Sequence, residues 1–333
     1  VFSKERNTLI DRIFSIQTKA EFDLVCMEVF QYQVANNPVY SQWLKALTCD
    51  SNAILHVEDI PFMPIEFFKT HRVISGNEAI QETFTSSGTT GLSTSSHYIC
   101  DTEIYKRSYL EGFMLEYGNP RDWVIIGLLP AYLDRPGSSL VYMTQGLIEA
   151  SGKPESGFYL YNIEELKEKL AQLADSRQKV WLIGVSFALL DLAEISPSAW
   201  PELVVVETGG MKGRRKELIR KELHLQIKRS WPIENLHSEY GMTELLSQAW
   251  MKKDERFVCP PWMKIFIRDA SDPFQLLSEN KNGGIQIIDL ANIDTCSFIT
   301  TSDLGKKFDD QSFEVIGRFD NSDIRGCNLL VDN

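Results

Sequence analysis

The sequence predicts an α/β fold, in which helices layer on a largely parallel sheet, followed by a β-rich subdomain. Three observations carry this. Between about residues 100 and 245, short apolar runs alternate with longer amphipathic ones, as buried strands alternate with the helices that connect them. After about residue 255 the texture changes to short strand-like runs broken by Asp-Pro, Asn-Gly-Gly and Asp-Asp, which are turn formers. The chain has 333 residues, 43% of them apolar and 24% charged, enough for one large core or two smaller ones and incompatible with wholesale disorder.

Taken in order, the first element is a helical region over 4–47. Leu9, Ile13 and Ile16, then Phe22, Val25, Cys26, Val29 and Phe30, recur at helical spacing. The prolines in Ile60-Pro-Phe-Met-Pro-Ile-Glu-Phe-Phe68 forbid a regular helix, so this stretch is expected to cross the surface as an extended connector. The runs at 123–129, 180–185 and 203–207 read as buried strands, and 102–117, 138–150, 162–174 and 213–225 as helices. Asn162, with Glu165 three residues on, gives the third of these helices a relative of the capping box. Strands are expected at 263–268, 284–290, 297–301 and 313–316. The organisation predicted is a helical region plus α/β core over 1–250 and a β-rich subdomain over 251–333.

Charge and cysteine usage exclude some classes. Against 34 Lys+Arg stand 46 Asp+Glu, a net charge of −12, which argues against a basic nucleic-acid binder. No apolar stretch approaches the roughly 20 residues that span a bilayer. Lys4, Glu5, Arg6, Asp11 and Arg12 interrupt the N-terminal apolar positions, which does not fit an export signal. The chain begins with Val, so the natural start is expected upstream. Six scattered cysteines without a CxxC fit a reducing cytoplasm and give no zinc-site spacing.

Four stretches have the composition of a ligand site. Thr85-Ser-Ser-Gly-Thr-Thr-Gly-Leu-Ser-Thr-Ser-Ser96 is dominated by Ser, Thr and Gly, and such a loop presents backbone N–H groups and hydroxyls to a phosphate. It lacks the Gly-Lys-Ser/Thr of a Walker loop, and a plain polar surface loop has the same composition. His237-Ser-Glu-Tyr-Gly-Met-Thr-Glu244 follows an expected strand at 233–236. Tyr240 suits stacking on a planar base, Thr243 a phosphate, and Glu244 a divalent cation; the alternative is a helix start capped by Thr243. Thr208-Gly-Gly-Met-Lys-Gly213 sits at the carboxyl end of a strand, where α/β sheets place ligands, or is an ordinary strand-to-helix turn. In Thr300-Thr-Ser-Asp-Leu-Gly305 and Gly317-Arg-Phe-Asp320, Asp303 and Arg318 suit the hydroxyls of a sugar, or serve turns.

In this order and at these separations the four stretches resemble the ANL superfamily of adenylate-forming enzymes, over about residues 80–330. Within it, Ile60-Pro-Phe-Met-Pro-Ile-Glu-Phe-Phe-Lys-Thr-His71, Leu129-Pro-Ala-Tyr-Leu-Asp-Arg-Pro-Gly-Ser-Ser-Leu140 and Gly317-Arg-Phe-Asp-Asn-Ser-Asp-Ile-Arg-Gly326 look like the acyl-protein synthetases. That family includes the synthetase subunit of the bacterial luciferase fatty-acid reductase complex and is related to the phenylacetate–coenzyme A ligases. The resemblance implies that ATP and Mg²⁺ activate a carboxylic acid, fatty in this family, to an acyl-adenylate. A thiol then takes the acyl group for delivery to an acyl-CoA reductase or a carrier protein. It implies that Ser86, Ser87, Gly88, Thr89, Thr90 and Gly91 hold the β- and γ-phosphates, Thr243 the α-phosphate and Glu244 the Mg²⁺. Gly209, Gly210 and Tyr240 would frame adenine, and Asp303 and Arg318 the ribose.

Two departures from the family pattern matter. The lysine that often follows the phosphate loop is replaced by Leu92-Ser-Thr-Ser-Ser96, leaving Lys212 as a substitute cation. Only thirteen residues follow Asp320, so the smaller C-terminal domain of full-length relatives, with its catalytic lysine, is expected to be absent from this chain. In the luciferase-linked relatives a cysteine near the C-terminus accepts the acyl group. Cys327, in Arg325-Gly-Cys-Asn328, is the candidate here, its alternative being a packing residue of a terminal strand. Two other readings remain: an aryl or acyl coenzyme A ligase with coenzyme A as acceptor, and a non-catalytic nucleotide-binding subunit of a complex.

Overall fold

The computed structural model describes residues 3–86, 94–130, 137–159, 162–209 and 218–319. Three helices open the chain, Lys4–Ile13, Lys19–Asn36 and Pro38–Ala46. The second starts with a complete capping box: the Thr18 hydroxyl accepts from the Glu21 amide, and the Glu21 carboxylate accepts from the Thr18 amide. Pro38 stands at the first position of the third, where its missing N–H is no loss.

The main sheet holds twelve strands among the described residues. Five parallel strands run in the order Gly157–Tyr159, Val124–Leu128, Val180–Val185, Leu203–Thr208, Asn235–Tyr240. Pairing then turns antiparallel and continues through Ala249–Lys253, Arg256–Val258, Phe313–Arg318, Phe298–Lys307, Asn282–Asp289 and Met263–Arg268. The ten-residue strand Phe298–Lys307 has two partners on one edge. Met63–Pro64 pairs parallel with Ile299 and Thr300, and Phe313–Arg318 pairs antiparallel with residues 303–307. A separate two-stranded hairpin, Glu82–Thr85 with Ser96–Ile99, carries the Ser/Thr/Gly loop between its strands.

Alternation of side chains splits the parallel half into two apolar layers. On one face Ile126, Leu128, Leu182 and Val205 meet Leu166 and Leu170, Leu189 and Leu192, and Leu223 and Ile227 from three helices. On the other, Ile125, Trp181, Ile183 and Val206 meet Tyr105, Tyr109 and Phe113 of the Thr102–Tyr117 helix, and this layer runs on into the antiparallel half. The Ser139–Ser151 helix ends on Gly152 in the left-handed region at φ +64, where a residue without Cβ is unstrained. No described helix is long and apolar enough to cross a membrane.

The predicted α/β class holds, with corrections in detail. The stretch 60–68 does not cross the surface: Ile60, Phe62, Met63 and Phe68 are buried, because hiding its aromatic rings outweighs the lost regular structure. The helix expected at 213–225 is found at Arg220–Ser230, and Leu218 and Ile219 are not helical; residues 213–217 lie outside the described residues. The strand expected at 233–236 is Asn235–Tyr240, so the motif from His237 to Tyr240 is itself strand, since Pro232 bars earlier pairing. Thr243 therefore caps no helix, and Asp303 is a strand residue and not a turn residue. Trp181 and Phe187 are core.

Candidate active site

The parallel strands end together at Val185, Thr208 and Tyr240, and the crevice beyond such carboxyl ends is where open α/β sheets bind ligands. The hydroxyl of Ser186 lies 2.6 Å from Glu207 Oε1 and 3.3 Å from the carbonyl oxygen of Gly209. Gly209 has φ +71, the left-handed region that lets the chain turn sharply off its strand. On the next strand the Thr208 hydroxyl donates to Glu239 Oε2 at 2.5 Å, and burial raises the Glu239 carboxyl to about 7 against that bond. Below them the Ser238 hydroxyl donates to Glu207 Oε2 at 2.9 Å, and His224 Nε2 lies 3.1 Å from Ser238 Oγ.

Tyr240, Asp303 and Arg318 form one hydrogen-bonded chain. The Tyr240 hydroxyl donates to Asp303 Oδ2 at 2.8 Å, and Arg318 Nε donates to Asp303 Oδ1 at 2.9 Å. Asp303 and Arg318 are register partners on adjacent strands. Asp303 is buried, whereas the Arg318 side chain is 78% exposed. The negative charge of Asp303 holds the Arg318 guanidinium above its ordinary pKa. The Tyr240 ring lies inside the protein against Phe257 and Phe313, with centroids 5.8 and 5.4 Å away.

Thr243 and Glu244 stand in the turn between Asn235–Tyr240 and Ala249–Lys253. The turn is pinned from three sides. His97 Nδ1 lies 2.8 Å from the Thr243 carbonyl oxygen, Asn292 Nδ2 donates to the Glu244 carbonyl at 2.8 Å, and Asp289 Oδ2 accepts from the amides of Leu246 and Ser247, each at 2.9 Å. Glu244 is 6% exposed. Burial raises its pKa, offset by a hydrogen bond from the Ser95 hydroxyl. Ser95 and Ser86 close the base of the Ser/Thr/Gly loop, with Ser86 Oγ accepting from the Ser95 amide at 2.9 Å. The structure thus brings Ser86, Thr243 and Glu244 to one place and Tyr240, Asp303 and Arg318 to another. Tyr240 is common to the second group and to the strand leading into the Thr243–Glu244 turn.

Ser87, Gly88, Thr89, Thr90, Gly91, Gly210, Lys212 and Cys327 lie outside the described residues. His97, Asp289 and Asn292 are the residues that sequence reasoning missed. Their partners are far away in the chain, and the one local signal is a run of polar residues, Asp289, Asn292, Asp294 and Thr295, inside an apolar segment.

No family model matches the sequence, and no curated protein does. Solved structures do. The architecture is similar to part of several solved ligases and of a luciferase-like enzyme. A 2-hydroxyisobutyryl-CoA ligase, in the postadenylation state with 2-HIB-AMP, matches with a TM-score of 0.68 at 11% identity, over 92% of this chain and 70% of that one. ATP-bound MatB from Rhodopseudomonas palustris matches with a TM-score of 0.53 at 15% identity, over 73% of this chain and 49% of that one. The luciferase-like enzyme of the mealworm Zophobas morio gives 0.52 at 13% identity, over 74% of this chain and 60% of that one. The chain thus spans about half the length of the MatB structure. At these identities the shared property is the fold.

Proposed function

We propose that the protein uses ATP to activate a carboxylic acid and passes the acyl group to a thiol, as an acyl-protein synthetase acting on a fatty acid. The observation that carries this is the placement of Thr243 and Glu244 against the Ser86–Ser95 base of the Ser/Thr/Gly loop, at the carboxyl ends of the parallel strands. An oxygen of the acid attacks the α-phosphorus of ATP, the bond from that phosphorus to the bridging oxygen breaks, and pyrophosphate leaves. A thiolate then attacks the acyl carbon and AMP leaves. The first step asks the protein for no proton-transfer pair, so its work there is positioning and charge neutralisation; in the second the thiol gives its proton to solvent before it attacks.

Within this reading Thr243 donates to the α-phosphate, and Asp303 and Arg318 take the ribose. Asp303 has a lone pair free on each oxygen beyond the bonds to Tyr240 and Arg318. Glu244 fits a Mg²⁺ site: Mg²⁺ keeps its waters and takes one or two carboxylates plus phosphates, and a buried carboxylate with a raised pKa gains from a cation beside it. When bound, Mg²⁺ would neutralise phosphate charge. Gly209 belongs to the adenine side, whereas Tyr240, its ring buried against Phe257 and Phe313, reaches the ribose side through its hydroxyl on Asp303; Gly210, Lys212 and the loop from Ser87 to Gly91 complete the assignment from sequence alone. The acceptor is Cys327 or a carrier thiol, with an acyl-CoA reductase as the recipient. The five described cysteines are free thiols, in keeping with a cytoplasmic setting. Coenzyme A as acceptor is the second reading, favoured by the match to a coenzyme A ligase.

Acid-dependent exchange of labelled pyrophosphate into ATP tests the proposal. Glu244→Gln is expected to lower the exchange by at least about 100-fold, the scale for losing one charge-stabilising group. Full exchange in that variant overturns the Mg²⁺ assignment, and no exchange in the wild type with any acid of a chain-length series overturns the reaction.

A further inference from the structure

The Ser/Thr/Gly loop belongs to a hairpin that forms a two-stranded sheet of its own, which among the described residues shares no hydrogen-bonded ladder with the twelve-stranded sheet. The Thr243–Glu244 turn belongs to the large sheet. For groups on both to meet the phosphates of one nucleotide, something other than a ladder must fix the hairpin against the turn. From these contacts we infer that His97 is the positioning residue that does so, an inference resting on the ATP-dependent reading above.

His97 stands on Ser96–Ile99, the strand that leaves the loop, and is fully buried. Its Nδ1 lies 2.8 Å from the carbonyl oxygen of Thr243. A carbonyl only accepts, so Nδ1 carries the proton. Its Nε2 lies 3.0 Å from Thr295 Oγ1. In a neutral ring that nitrogen is the acceptor, so the Thr295 hydroxyl donates to it. The edge-to-face contact with Phe68, centroids 5.4 Å apart at 81°, holds the ring plane. One imidazole therefore ties three pieces of chain at fixed distances: the strand leaving the loop, the turn with Thr243 and Glu244, and the buried segment that carries Thr295. A leucine would fill the same volume, but only a side chain with a donor at the Nδ1 position keeps the Thr243 carbonyl in place. Ser95 and Glu244, which interact beside this link, stand two and one residues from the positions that His97 joins.

The experiment uses the whole chain and three variants. His97→Leu keeps volume and removes both bonds. His97→Asn places an amide Nδ2–H where Nδ1–H stands. Thr295→Val leaves the imidazole but frees its far side. MgATP affinity is measured by calorimetry, and acid-dependent pyrophosphate exchange by steady-state kinetics. His97→Leu is expected to lower kcat/KM for MgATP by about 10- to 100-fold, the scale of a misplacement near 1 Å, while KM for the acid stays within about 2-fold. By the same scale His97→Asn recovers to within about 3-fold of wild type, and Thr295→Val loses about 3- to 10-fold.

Equal activity and MgATP affinity of the Leu and Asn variants, per folded molecule, overturns the inference. Should His97→Leu fail to fold, an unchanged MgATP affinity in Thr295→Val overturns it instead. A wild type that binds MgATP but performs no acid-dependent exchange overturns the proposed reaction, while the ranking of MgATP affinities still decides the role of His97.

Discussion

Two stretches of this chain are equally hidden from water and are held by opposite means. In the parallel half, Leu203 to Val206 is buried hydrocarbon. In the antiparallel half, every residue from Asp289 to Ser297 is buried, yet five of them, Asp289, Asn292, Asp294, Thr295 and Ser297, are polar. That segment is held by directional bonds: Gln33 Nε2 donates to the carbonyls of Asn292 and Ile293 at 2.9 and 3.1 Å, and Asn37 Nδ2 donates to the Thr295 carbonyl at 2.6 Å. The difference teaches where exact placement is needed. Apolar contact tolerates small slips at little cost, whereas hydrogen bonds do not. The polar segment is the one that grips the Thr243–Glu244 turn, through Asp289, Asn292 and Thr295.

The largest effect is expected where a buried charge loses its partner. Arg6, 2% exposed, meets Asp294 through Nε and Nη2, both at 2.5 Å, and Asp101 through Nη2 at 3.0 Å. Arg6→Met should cost about 3–5 kcal/mol in urea unfolding, because Asp294 stays buried without its cation. Adding Asp294→Asn should restore part of this. A loss below about 1 kcal/mol would break the comparison, since the segment would then behave like a surface ion pair. In the parallel half Leu182→Ala, at a fully buried position, should cost about 2–5 kcal/mol through lost transfer energy and a cavity, with no recovery from any second substitution of charge.

The third expectation concerns pH and has opposite signs for buried imidazoles and buried carboxylates. Burial holds His224 and His237 down to about 4. As pH falls from 6.5 to 4 the unfolded chain binds protons that the folded chain refuses, so stability is lost. Burial raises Asp289 to about 6 despite the bonds it accepts from Ser247, Leu246 and Ala291. Between pH 6 and 4 the folded chain holds a proton that the unfolded chain lacks, so this group restores stability on acidification. Each contribution is on the order of 3 kcal/mol. Unfolding measured against pH should show a shallower acid limb in His224→Gln and a steeper one in Asp289→Asn. The reverse order would mean that burial does not act on the two kinds of group in this way.

The parallel half was legible in the sequence because its signal is local. The runs at 180–185 and 203–207 name their strands through apolar character, broken only at Glu207 at the end of the second. The antiparallel half was less so. The short strands Ala249–Lys253 and Arg256–Val258 escaped because they are five and three residues long and the first buries three residues in a row and then exposes two, with no alternation to read. The stretch 60–68 was misplaced because its partner, Ile299, stands far along the chain. Of the site, Asp303 and Tyr240 announced themselves through residue type, and the structure adds that they touch. His97 gave no comparable notice, since a histidine in a four-residue strand declares nothing until Thr243 and Thr295 are folded against it.

The shared edge of Phe298–Lys307 also sets an order of events during synthesis. Among the described residues Met63 and Pro64 find their ladder partners at Ile299 and Thr300. At 5–20 residues per second a ribosome needs on the order of 10 to 50 s to make the roughly 235 residues between them. Throughout that interval the buried ring of Phe62 lacks Phe298, beside which it packs. The nascent chain therefore carries an unpaired apolar segment around Phe62 until the strand Phe298–Lys307 emerges.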